Sequence, residues 1–133
     1  MNILAACLCD SAADYQGKLC ILGAFDTIIA PRFPATHTNC ALALRFVLRA
    51  GDEGAHRILV TLSDPDGRNV LPGGGANVTL NFAGVPAATH FASSNCVISL
   101  QGLVLPAAGA YSFDVYWDGE VAIRVPLQVL ANA

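Results

Sequence analysis

Apolar and polar residues alternate with a period of two through most of this chain, in short runs set off by Gly, Pro, Asp and Asn. Successive side chains of a strand point to opposite faces, so this pattern demands strands with one buried face. Leu42, Leu44, Phe46 and Leu48 share one parity, with Arg45 and Arg49 on the other. Ile58, Val60 and Leu62 repeat the pattern, as do Val78, Leu80 and Phe82. Two further inward rows run from Tyr111 through Phe113 and Val115 to Trp117, and from Val121 through Ile123, Val125 and Leu127 to Val129. Asp118-Gly119 lies between those two rows, and an Asp-Gly pair readily takes the positive φ values that a tight hairpin turn needs. No comparable stretch has a helical period, although Ser11 to Gln16 could form a single helical turn.

Two irregularities refine the strand assignment. Cys96, Ile98 and Leu100 have one parity and Leu103 and Leu105 the other, which predicts a bulge at Gly102 that adds one residue and keeps the apolar face on the core. Pro126 falls on an outward position of the last strand, which places that strand at a sheet edge or at a bend, because proline cannot donate to a ladder. With the apolar runs Ile3 to Cys9 and Leu19 to Ile29 added, the chain reads as about eight strands. The connections then fall at 10–17, 30–37, 50–56, 64–76, 83–94 and 106–110. The expected fold class is all-β, a two-layer antiparallel β-sandwich in preference to a closed barrel.

The chain has 133 residues, which fits one domain spanning 1–133. It is 54% hydrophobic and 13% charged, too apolar to be disordered and low in charge for a soluble domain. Net charge is -3, with one lysine, Lys18, and arginines scattered from Arg32 to Arg124. A phosphate-tracking surface needs clustered cations, so nucleic acid is not an expected partner. Charged, Gly and Pro residues interrupt every apolar run before it reaches the length of a membrane span.

Leu4-Ala5-Ala6-Cys7 has the look of a lipoprotein cleavage box, but only Met1 to Ala6 precede the cysteine and none of these residues is basic. The cytoplasm is therefore the expected compartment. Five cysteines, an odd number, argue against a disulfide framework. Cys7 and Cys9 lie on one face of a strand, where free cysteine packs as a small hydrophobe; their spacing is unlike that of a zinc pair, and no second pair follows.

Ala107 to Phe113 resembles the tyrosine-corner segment of immunoglobulin-like domains, in which a Tyr early in the penultimate strand bonds back to the preceding loop. Phe113 stands at the core position and Ala107 where an acidic residue is usual, and the resemblance favours an immunoglobulin-like topology. Gly17-Lys18-Leu19-Cys20-Ile21-Leu22-Gly23-Ala24-Phe25-Asp26-Thr27-Ile28, with Phe33-Pro34 and His37 beyond, resembles the opening of a family of small uncharacterised bacterial β-sandwich proteins. The closing segment from Ala108 through Asp118-Gly119 to Pro126-Leu127 fits the same family. The resemblance implies the fold and supplies no catalytic residues.

Candidate chemistry is sparse. The chain has no nucleophile elbow, no His-Glu-x-x-His and no phosphate loop, and Gly73-Gly74-Gly75 lacks the Lys and Ser/Thr of a nucleotide site. Asp64-Pro65-Asp66-Gly67 resembles the start of a calcium loop, but the later glutamate is missing and the same residues make a β-turn. Asp26 on an apolar strand reads as a carboxylate satisfied at a strand end, or as one sharing a shallow pocket with His37. The candidate pocket residues are thus Asp26, His37, Asp64 and Asp66, and no cofactor, metal or small-molecule ligand is expected. Tyr116 reads as outward and Trp117 as core, so no continuous aromatic platform is expected.

The leading functional expectation is a non-catalytic binding or assembly module that self-associates or takes a protein partner. It rests on residues 2–9 and 19–29, apolar on both faces, which need cover from within the chain or from a second copy. The rivals are a small enzyme with a carboxylate and histidine site at one end of the sandwich, and a module that pairs a free strand edge with an extended peptide.

Overall fold

The computed structural model describes residues 1–132, and they form nine strands in two sheets with one short 3-10 turn. The strands are β1 (Asn2–Tyr15), β2 (Lys18–Ala24), β3 (Thr27–Ala30), β4 (Ala35–Leu48), β5 (Gly54–Ser63), β6 (Ala76–Phe82), β7 (Ala92–Leu105), β8 (Gly109–Trp117) and β9 (Glu120–Ala131). One sheet has the order β2-β1-β4-β7 and the other β3-β9-β8-β5-β6. All neighbours are antiparallel except β3 and β9, which run parallel. The all-β expectation holds, with one strand more than the alternation indicated. The run Leu19 to Ile29 divides at Phe25-Asp26, and its halves join different sheets.

The rows of matching parity meet in one core. Leu42, Leu44 and Phe46 from the first sheet pack with Ile58, Val60, Leu62, Phe113, Val115 and Leu127 from the second. Each such side chain withdrawn from water contributes on the order of 1.5–3 kcal/mol, which selects this register over a one-residue slip. At the start of β8 the Tyr111 hydroxyl donates to the Ala107 carbonyl at 2.7 Å and accepts from the Ala107 N–H at 3.2 Å. Tyr111→Phe keeps the buried ring but removes both hydrogen bonds to the exposed Ala107, so chemical denaturation is expected to show a loss of about 1 kcal/mol at unchanged m-value.

The apolar runs near the N-terminus acquire cover in a way that alternation cannot reveal. β1 pairs with β4 through Cys9↔Ala41 and with β2 from Cys9 to Tyr15. If β1 ran straight, Tyr15 would lie opposite Ala35. Instead the turn after it reaches Arg45 and Asn95: Arg45 donates to the Gly17 carbonyl at 3.0 Å and Asn95 to the Asp14 carboxylate at 2.9 Å. The β1–β2 hairpin therefore doubles back over the outer face of its own sheet, where Ala12 and Leu19 pack on buried Cys9, Ala41 and Ala43. Ser11 to Gln16, which matched a helical turn in sequence, is instead the end of β1 through Tyr15 followed by the hairpin turn at Gln16. Gly23 at the bend has a left-handed φ of +70°, which favours glycine, and the exposed Asp10 carboxylate lies close beside it.

Gly102 departs from expectation too. The register between β4 and β7 runs unshifted from Ala35↔Leu105 to Leu48↔Ala92, so no residue is added. Both strands reverse their facing at the Thr38 and Gly102 rung: Thr38 and Asn39 are both exposed, as are Gln101 and Gly102. The left-handed φ of +62° at Gly102 accommodates the reversal. Pro126 sits where β9 pairs with Ser112 of β8 but has not yet met β3, whose ladder begins at Thr27↔Gln128. The strand is thus a local edge at the proline and an interior strand beyond it.

Candidate functional site

The densest polar constellation lies at one end of the molecule and was not signalled by any motif. Asp118 occupies the β8–β9 turn with φ of +50° and Gly119 follows at +87°, the two-residue hairpin expected from Asp-Gly. The Asp118 N–H donates to the Arg57 carbonyl at 2.8 Å, and its Oδ1 accepts from the Arg57 N–H at 2.8 Å. The side chain thereby continues the β5–β8 ladder one rung past the strand. Its Oδ2 lies 2.7 Å from Nδ1 of His56, whose Nε2 is hydrogen-bonded to the Asp52 carbonyl. The His56 ring stacks on Trp117 with centroids 4.6 Å apart, and Trp117 in turn meets the core ring of Phe46 at 5.2 Å. Hydrogen bonds to the Asp118 carboxylate, then to the Asp52 carbonyl, raise the His56 pKa above its ordinary value. The same contact with His56, followed by the Arg57 N–H, lowers that of Asp118. Beside this cluster a shallow basin of about 600 Å³ is lined by Arg57, Leu59, Tyr116, Asp118 and Gly119.

A second polar knot surrounds Asp114, the buried charged residue of the outer face of β8. Its carboxylate accepts from Ser63 Oγ at 2.8 Å and Ser112 Oγ at 2.6 Å, with Arg124 Nε at 3.5 Å. These contacts compensate a charge that would otherwise be costly to bury.

The sequence candidates fall into two separate places. Asp26 accepts from Thr27 Oγ1 at 2.8 Å, and its carbonyl accepts from the Gln128 N–H at 2.8 Å, so it ties β3 to β9. His37 packs its ring against Phe25 at 5.6 Å and lines a pocket of about 270 Å³ in which the carboxylate is that of Asp10, not Asp26. Asp64 Oδ1 accepts from the N–H groups of Asp66 and Arg68 at 2.9 and 2.8 Å, the β-turn arrangement, with Asp66 exposed at the tip. Asp26 precedes β3 and Asp64 follows β5, and these strands are three positions apart in their sheet, a lateral spacing of about 14 Å. Direct proton transfer needs contacts of roughly 3 Å, which strands so spaced do not give between Asp26 and Asp64.

The five cysteines are free, and burial pushes the Cys40 thiol up to about 11 and raises Cys9 and Cys96. These protonated thiols are poor nucleophiles and poor metal ligands. Among the described residues no group of three or more His, Cys, Asp or Glu side chains is placed to hold a metal ion. No helix among them is long and apolar enough to cross a membrane.

One further feature could hold a ligand. The free edge of β7 borders a cleft of about 390 Å³, lined on one side by Leu100 and Leu103 and on the other by Leu71, Pro72 and Ala76. The fold and these sites define an all-β protein of two sheets with a shared core, free strand edges and polar clusters at one end turn and on the outer face of β8. The chain belongs to a family of unknown function, DUF6941, which it matches over residues 4–130. No curated protein and no solved structure matches it.

Proposed function

We propose that the protein is a single-domain β-sandwich of immunoglobulin-like topology that works as a non-catalytic assembly module, self-associating through β2. The topology is supported by β4 and β7 sharing one sheet while β9, β8, β5 and β6 are consecutive in the other, the pattern of variable-type domains. The Tyr111 to Ala107 hydrogen bonds support it further. Three buried, unpaired thiols suit a reducing compartment such as the cytoplasm.

The observation that carries the assembly reading is the state of β2. It is the free edge of its sheet, and Leu22 is 70% exposed and Ile21 41%. The doubled-back hairpin partly covers Leu19 but leaves these two in water, and an uncovered apolar edge is a template for a second strand. Sedimentation of the wild type at high micromolar concentration is expected to show a dimer or larger species. Leu22→Asp should weaken that association at least tenfold, because a charge would be buried beside an apolar strand. A wild type that sediments as a monomer overturns the reading.

The β7 edge favours a second reading, addition of an extended peptide. Its 14 residues include neither a charge nor a proline, and the apolar cleft beside it could receive alternate side chains of an added strand. If Val104→Lys disrupts association while Leu22→Asp does not, the contact belongs to β7.

A further inference from the structure

His56 faces two groups that can only accept. The carbonyl of Asp52 has no proton, and the exposed carboxylate of Asp118, which also accepts the Arg57 N–H, is ionised. A neutral imidazole offers a single N–H, whereas both ring nitrogens of His56 are engaged with acceptors. We infer that His56 is an imidazolium clasp tying the β4–β5 loop to the β8–β9 turn, and that loss of its proton releases the loop.

The charges around the ring fit this role from every side. Asp118 comes from the β8–β9 turn and Asp52 from the β4–β5 loop. The Asp52 carboxylate is held by the Arg49 N–H at 2.9 Å and by the amino group of Met1 at 3.2 Å. Arg49 turns its guanidinium to Asn2 Oδ1 at 2.6 Å, and Glu53 accepts from the Gly51 N–H at 2.8 Å, so neither competes for the ring. Trp117 covers one ring face. When one proton leaves, the remaining one stays with the carboxylate, because hydrogen bonds to a charged acceptor are the stronger. The Asp52 carbonyl then loses its donor, and residues 49–53 lose their tie to β5 and the turn.

The direction with pH follows from the contacts. The folded-state pKa of His56 is raised, so the clasp contributes fully below the unfolded histidine value of about 6.5 and is lost as pH rises through the folded value. The chain has one tryptophan, Trp117, and it stacks on this ring, so its fluorescence reports the ring's charge. A titration from acid to mildly alkaline pH is expected to show one step in Trp117 emission with a midpoint above about 6.5. His56→Gln should abolish the step, which separates it from His37 and His90. Asp118→Asn keeps a turn-forming residue and should lower the midpoint by about one pH unit or more. Nitrogen chemical shifts of the wild-type His56 ring supply a readout independent of either variant's folding: both nitrogens protonated below the midpoint and Nδ1 alone above it. Amide exchange in residues 49–53 should accelerate across the same step. A midpoint at or below 6.5, a step that survives His56→Gln, or loop exchange indifferent to the step overturns the proposal.

Discussion

Phe46→Ala is expected to cost about 3–5 kcal/mol, a large part of the roughly 5–15 kcal/mol that holds a domain of this size folded. The ring is wholly buried in β4, between the two sheets, and meets Trp117 at 5.2 Å. Its removal leaves a cavity bounded by two sheets whose backbones are fixed by ladders, so collapse around the void is limited. Thermal unfolding should fall by about 10–20 °C. The near-UV signal of Trp117 should weaken in the folded variant, because the indole would lose its core-side neighbour while keeping His56. A loss below about 1 kcal/mol would mean that the sheets do not meet at Phe46.

Gly75→Ala is expected to be nearly as damaging, about 3 kcal/mol, although the residue is at the surface end of a connection. Gly75 has φ of +116°, and a Cβ there would lie 2.4 Å from the Val60 carbonyl oxygen, a backbone atom in the middle of β5. The strand cannot withdraw without breaking its ladder with β8, so strain and overlap add. Gly51→Ala provides the comparison: φ is +103° but nothing lies within 4 Å, so only the conformational part remains, about 1 kcal/mol. Denaturant midpoints for the two variants should differ clearly. Equal losses would show that the close approach of Gly75 to β5 is not present in solution.

Alternation along the chain identified the buried rows of β4, β5 and β8 residue by residue, because a strand with one wet face must repeat every second position. The Asp118-Gly119 turn and the Tyr111 bond to its preceding loop were equally legible, each being a local arrangement written in adjacent residues. Other features depend on distant partners and left no such trace. Residues 19–29 form one unbroken apolar run, yet they divide between sheets because Phe25 and Asp26 are drawn to Leu8 and Gln128. Gly102 carried a visible phase change, but its meaning depended on Thr38 across the ladder, which reverses with it. The most organised polar site was missed because His56 and Asp118 are far apart in sequence and belong to no spacing rule. The signal available was modest: an Asp whose turn geometry aims its carboxylate back along the strand that precedes the partner.

By itself the sequence determined the all-β class, the strand rows that become the core, and the tight turns at Asp118-Gly119 and Asp64-Pro65-Asp66-Gly67, since all of these follow from neighbours within one strand or one loop. Only the tertiary structure decided how the N-terminal apolar surplus is hidden. β1 bends so that Ala12 and Leu19 cover the small side chains of Cys9, Ala41 and Ala43, while Leu22 stays exposed. Burial is a property of which surfaces meet, and two faces that are equally apolar in the sequence become different once one has a partner.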